Sequence, residues 1–275
     1  MNEGSTARPF GNEDLDEISL AKPPLDLALV QIRYPRLSRL ANGDQFITRF
    51  ANAVADNYPI FDPVQQAVGL FVGPEGIKQT EETVKIWRIR SADDNWSASI
   101  ADNFLALQVK SYPGRTSLGE NLSTLLGPFL EIIAPPYIER LGVRYINRVH
   151  DSEILNRLSS MVRMEVLGSV SVPLPEGVTL SHSISESLYD LGGQMLQVKT
   201  GHLSPGVGHD PIVPIADHPT WFLDLDAFSS SRTNFTVADV DTLYRELARI
   251  VYRYFRWAVT WDFLESYGGR RASEH

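Results

Sequence analysis

Ten short runs of apolar and β-branched residues lie between residues 25 and 228, and turn-forming residues break the chain between them. Runs of this length, alternating with period two, are the pattern of strands joined by turns. They cover about 25–34, 64–72, 83–90, 96–100, 104–111, 142–149, 162–172, 178–189, 195–202 and 221–228. The first, Leu25 to Tyr34, is largely apolar on both faces, which suits the middle of a sheet. Asp93-Asp94-Asn95 and Ala101-Asp102-Asn103 are turn clusters that make the stretch around them an antiparallel meander. Gly192-Gly193 joins two runs as a hairpin, and a Gly/Pro-rich loop from Leu203 to Pro219 precedes the last run.

Helical periodicity appears in three places. Phe46, Ile47, Phe50 and Val54 form a stripe over Asp44 to Asn57, stopped by Tyr58-Pro59. Ser117 and Glu120 have capping-box spacing ahead of a second helix, to about residue 134, which Pro128 is expected to kink or split. Thr236, with Asp239 three residues on, caps a third helix to about Tyr267. At ~1.5 Å per residue that helix would span roughly 45 Å. The expected fold is α+β: antiparallel sheet or sheets from two similar strand-rich halves, 23–150 and 151–267, each followed by a long helix packed on the sheet. Residues 1–22 are polar and acidic and read as a disordered tail, and 268–275 as a flexible C-terminus.

Composition narrows the chemistry. With 43% hydrophobic and 21% charged residues in a chain of 275, wholesale disorder is excluded. The absence of cysteine excludes disulfides, thiolate catalysis, cysteine-ligated zinc and iron–sulfur clusters. Twenty-five basic against 34 acidic residues give a net charge of −9, which disfavours nucleic acid as a partner. No secretory signal and no apolar run of 18 residues are visible, so a cytoplasmic protein without a membrane span is expected. GxSxG, GxGxxG and GxxxxGK[ST] are all missing, and no cofactor is expected.

Four groups of residues carry candidate chemistry. Arg144 and Arg148 share one face of a strand, about 13 Å apart at ~3.3 Å per residue. They can hold anionic groups of a ligand or partner, or form structural salt bridges. Asp224 and Asp226 share a face of another strand, where they can approach a divalent metal, face solvent or pair with those arginines. His202, His209 and Asp210 lie on or beside the 203–219 loop as weak metal candidates, in a spacing that matches no zinc motif. Arg245, Arg249, Arg253 and Arg256, with Tyr252, form a basic stripe on the third helix. That stripe is either a solvated face or a site for the acidic N-terminal segment, a partner or nucleic acid.

The segments PPLDLALVQIRYP (23–35), DNFLALQVKSY (102–112), RLGVRYINRV (140–149) and FLDLDAF (222–228), followed by LYRELARIVYRYFRWAVT, resemble a sporadically distributed bacterial conserved-hypothetical protein family. The resemblance covers about residues 23–266 and brings no enzymatic activity with it. It implies an accessory gene, in a mobile-element, phage-defence or toxin–antitoxin neighbourhood. The functional expectation is a non-enzymatic protein-interaction module, antitoxin-like or a phage-defence component, with a protein partner encoded nearby and a homo-oligomer as an open possibility. The alternative is a phosphorylated-ligand-binding or metal-dependent hydrolytic protein using Arg144, Arg148, Asp224 and Asp226.

Overall fold

The structure, a computed structural model, describes residues 8–11, 15–41, 44–62, 65–73, 76–229 and 231–270. The tail expected at 1–22 therefore falls partly outside the described residues, as does the C-terminus beyond 270. The chain divides into two compact units that interleave in sequence. One takes residues 29–142 and 230–244, the other 1–28, 143–229 and 245–275. This division cuts across the two halves expected from the sequence.

The first of these units holds most of β1 (Leu25–Arg33), then β2 (Ile60–Phe61), β3 (Gln65–Gly73), β4 (Gly76–Arg90), β5 (Trp96–Ile100) and β6 (Phe104–Val109), with helices α1 (Ser38–Ala41), α2 (Asp44–Ala53) and α3 (Arg115–Ile132). β3, β4, β5 and β6 pair antiparallel in sequence order, the meander expected from the turn clusters. Asp94 takes a left-handed φ of 57° at one of those turns. Ile47, Phe50 and Val54 are buried, as their stripe predicts. α3 departs from expectation in two ways. It begins at Arg115 with Gly114 as N-cap, so Ser117 and Glu120 form no capping box, and it runs unbroken through Pro128. Interior proline costs a helix about 3 kcal/mol. Leu125, Leu126, Phe129 and Ile133 are all fully buried beside it, and their burial outweighs that cost. Phe129 meets Tyr34, Phe50 and Phe235 at centroid distances of 5.6, 5.5 and 5.9 Å, which marks the centre of this core.

The other unit holds most of β7 (Arg140–Val149), short helices α4 (Ser152–Leu155), α5 (Leu158–Met161) and α6 (Met164–Leu167), then β8 (Ser183–Asp190), β9 (Gln194–Leu203), β10 (Thr220–Ser229), most of α7 (Val237–Ala258) and α8 (Trp261–Ser266). Two expectations are corrected here. Residues 162–172, read as a strand, form α6 and a 3₁₀ turn at Gly168–Ser171. Arg163 ties this stretch to the end of α7: its N donates to Ala258 O at 2.9 Å and its side-chain Nε to Trp257 O at 2.7 Å. Those carbonyls have no partner within their own helix. The long C-terminal helix also breaks. α7 has 22 residues, about 33 Å at ~1.5 Å each. Thr260 is extended and its N donates to Met161 O at 2.8 Å before α8 begins. At the other end Thr236 caps as expected, its Oγ1 accepting from Asp239 N at 3.1 Å.

In the first unit the strand order is β2-β4-β5-β6-β1, with β3 paired to β4, and in the other it is β7-β10-β9-β8. β9 pairs antiparallel with both β10 and β8, and Gly192 and Gly193 (φ 79° and 127°) turn the β8–β9 hairpin as expected. Along β10, Trp221, Leu223, Leu225 and Ala227 lie on one face, where Trp221 meets Phe263 of α8 edge-on. Phe222, Asp224, Asp226 and Phe228 lie on the other. Among the described residues no helix is long and apolar enough to cross a membrane.

Candidate functional site

Period two carries Arg144, Ile146 and Arg148 onto one face of β7, and Phe222, Asp224 and Asp226 onto one face of β10. The structure brings Arg144 and Asp224 together. Arg144 Nε and Nη2 donate to the two Asp224 oxygens at 2.8 and 2.6 Å, a fork-on-fork pair. Nη2 also donates to Asp210 Oδ2 at 2.6 Å. The side chains of Arg144, Asp210 and Asp224 are 12%, 5% and 3% exposed. His209 completes the cluster: its ring lies flat on Phe222 at 3.9 Å, and its Nε2 stands 3.6 Å from Asp224 Oδ2, an electrostatic contact too long for a hydrogen bond. Burial works against the Asp224 charge, but the Arg144 hydrogen bonds and the neighbouring His209 hold its carboxyl below the usual range. This is a buried staple of one guanidinium between two carboxylates. It ties residues 209–210 of the 203–219 loop to the sheet, and the guanidinium has its charge satisfied from within the chain.

Arg148 does a similar job further along β7. Its Nη1 donates to Pro214 O at 2.8 Å and lies 3.0 Å from Asp26 Oδ2. Two residues on, at the strand's end, His150 meets the far end of the same loop. His150 Nδ1 stands 2.9 Å from His218 Nε2 and 3.2 Å from Thr220 Oγ1. His218 Nδ1 stands 2.7 Å from Asp217 Oδ1, and His150 Nε2 3.8 Å from Asp26 Oδ2. Partial burial pushes the His150 pKa down, Asp26 opposes this, and Arg148 and His218 add to it. A neutral pair shares one proton across 2.9 Å; a doubly protonated pair would set two donors against each other. Sequence reasoning missed this pair. The period-two face of Arg144 and Arg148 extends to His150, but nothing in the sequence couples it to His218.

The remaining candidates scatter. Asp226 is half-buried on the Asp224 face of β10 and does not join the Arg144 staple. His202 lines a separate hollow of about 350 Å³ with Ser152, Asn156 and Leu158, among others. His209 and Asp210 sit in the staple, so the three weak metal candidates do not converge. Among the described residues no cluster of three or more His, Asp or Glu could hold a metal. On α7, Arg245 and Arg249 are exposed, Arg253 is buried and Arg256 half-buried. Arg249 and Arg253 line a groove of about 300 Å³ with Gln194, Glu246 and Ile250.

β8 stands at the end of the strand order. Ser183 to Asp190 run in unbroken register against His202 to Met195. A Cβ at Gly201 would lie 1.9 Å from Ser183 O, so only glycine lets the two strands close there. The strand has neither Lys nor Pro nor a bulge, three devices that protect an edge, and its charged residues are Glu186 and Asp190. Ile184 and Leu188 are 48% and 44% exposed. They share a sheet face with half-buried Met195 and Phe228, which pair across β9 and β10. The chain matches no protein-family profile, no curated protein and no solved structure.

Proposed function

We propose that the chain is a non-enzymatic protein-interaction module that takes an extended, basic segment of a partner protein onto the edge of β8. The observation that carries this reading is the outer edge of β8, which pairs with no strand among the described residues and has Ile184 and Leu188 exposed on one face. A strand added there satisfies the outward backbone groups of β8, and its alternate apolar residues cover Ile184 and Leu188. β8 carries Glu186 and Asp190 and no basic residue, and the chain carries a net −9. These charges favour a basic strand and oppose a second copy of the same chain. Arg144 and Asp224, the groups best suited to bind or hydrolyse a phosphorylated ligand, are committed to each other in a buried staple. The family resemblance supports a cytoplasmic role in an accessory operon, antitoxin-like or in phage defence.

The test is affinity capture from the native host with the wild-type chain and the Ile184→Lys/Leu188→Lys variant. The expected result is one near-stoichiometric partner on the wild type and its loss on the variant, with the variant's melting temperature unchanged. A partner retained equally by both chains, or self-association alone, overturns the reading.

A further inference from the structure

The end of β7 carries a second feature, independent of the β8 edge. β7 and β10 are neighbours in the sheet, and β7 ends where β10 begins. Arg144 meets Asp224, Asn147 Nδ2 donates to Leu223 O at 3.3 Å, and His150 meets Thr220. That register sets His150, one residue past β7, against His218, two residues ahead of β10. The two rings meet edge-on with centroids 4.7 Å apart, and His150 Nδ1 and His218 Nε2 face each other at 2.9 Å. The outer nitrogen of each ring faces a carboxylate. Asp217 Oδ1 lies 2.7 Å from His218 Nδ1, and Asp26 Oδ2 lies 3.8 Å from His150 Nε2. Solvent reaches both rings, for the His150 and His218 side chains are 34% and 46% exposed.

A carboxylate beside one ring nitrogen draws the proton there and leaves a lone pair on the other. Here both carboxylates lie behind the rings, so both lone pairs are turned inward, onto each other. Two bare nitrogens at 2.9 Å repel, and a positive species belongs between them: a shared proton or a metal ion. Two zinc–imidazole bonds of ~2.0–2.1 Å at a tetrahedral angle put their nitrogens about 3.3 Å apart. The pair stands about 0.4 Å short of that spacing, which a small turn of two partly exposed rings supplies. We infer that His150 and His218 form a two-imidazole clip for one divalent transition ion of the zinc class, with Asp217 and Asp26 orienting the rings from behind. Imidazole nitrogens select zinc, nickel or copper over magnesium and calcium, which take oxygen ligands. The carboxylates raise the basicity of the rings they orient. Arg148 already holds Asp26 at 3.0 Å, which leaves Asp217 as the main orienting carboxylate. No group of three His, Asp or Glu converges among the described residues, so the protein supplies two ligands and water the rest. Bound there, the ion ties the end of the 203–219 loop to β7, beside the Arg148–Pro214 contact.

The test is isothermal titration calorimetry of the full, untagged, chelator-treated chain with zinc sulfate. The expected result is one zinc ion per chain on the wild type. Affinity should fall about tenfold or more in His150→Gln and in His218→Gln, and about tenfold in Asp217→Asn. Glutamine keeps a polar side chain at both partly exposed positions, and a melting curve without metal checks that each variant folds. His182→Gln/His202→Gln removes two imidazoles outside the site and should bind as the wild type does, and magnesium sulfate should give no binding. Proton NMR of the wild type during the same titration needs no variant: the ring signals of two of the six histidines should shift together. No zinc binding by the wild type, or equal affinity in the wild type and both single histidine variants, overturns the inference. So do loss of binding in His182→Gln/His202→Gln, magnesium binding as tight as zinc, and ring shifts confined to one histidine.

Discussion

Arg144→Met removes the cation between two buried carboxylates. The Arg144, Asp210 and Asp224 side chains are 12%, 5% and 3% exposed, so solvent cannot replace the lost charge. An exposed pair would cost at most ~1 kcal/mol, but breaking a buried pair costs about 3–5 kcal/mol because the stranded charges stay desolvated. We expect urea unfolding at pH 7 to show a loss of about 3–5 kcal/mol with an unchanged m-value. The triple variant Arg144→Met/Asp210→Asn/Asp224→Leu removes the stranded charges as well and should recover most of that loss. The acid limb gives a second readout. The Asp224 carboxyl is held below its unfolded value, so its contribution is complete above the ordinary carboxylate range and is lost as pH falls through the depressed value. Without Arg144, burial is left to raise that carboxyl, and acid destabilisation should begin at higher pH. A loss under ~1 kcal/mol, or no recovery in the triple variant, would refute the buried-staple account.

Further outcomes follow from other contacts. The His150 pKa is held below the ordinary value by burial; the unfolded chain therefore binds the proton first, and stability present above about pH 6.5 should fall as pH drops toward the depressed value. His150→Gln should flatten that limb in pH-dependent urea unfolding. Thr236→Ala removes the oxygen that accepts from Asp239 N and should cost about 1 kcal/mol by chemical denaturation. A Cβ at Gly119 would lie 2.7 Å from Cε1 of Tyr244, a buried ring whose hydroxyl donates to Arg115 O at 2.5 Å. Gly119→Val should therefore cost about 1–3 kcal/mol, measured the same way.

Strands were legible where turn chemistry bounded them. Asp93-Asp94-Asn95 and Gly192-Gly193 each close an antiparallel pair, because those residues supply left-handed or tight-turn backbone at low cost. The cap at Thr236 was legible because its whole apparatus is local. Residues 162–172 misled because Val162, Val166, Leu167 and Val170 suit a strand, while the feature that decides them is the unsatisfied carbonyl end of α7, nearly a hundred residues away. The same tertiary demand ends α7 at Ala258, where the periodicity alone continues to Tyr267. At the site, shared faces were readable and partners were not. Arg144 and Arg148 could be placed on one side of β7, but Asp224, Pro214 and Asp26 could be assigned to them only once the sheet order and the path of the loop were known. Residues 1–22 read from their charge as a disordered or loosely attached tail; that Asp16 O and Ile18 N meet Tyr252 Oη is a backbone contact which composition does not report.

The central claim is that β8 receives a partner strand. The most direct measurement is amide hydrogen exchange of residues 183–190 in the free chain and in the captured complex. The account predicts exchange at alternate β8 amides in the free chain and strong slowing on binding, with Ile184 and Leu188 inside the protected stretch. Unchanged exchange along β8 in a complex that protects another surface would contradict it.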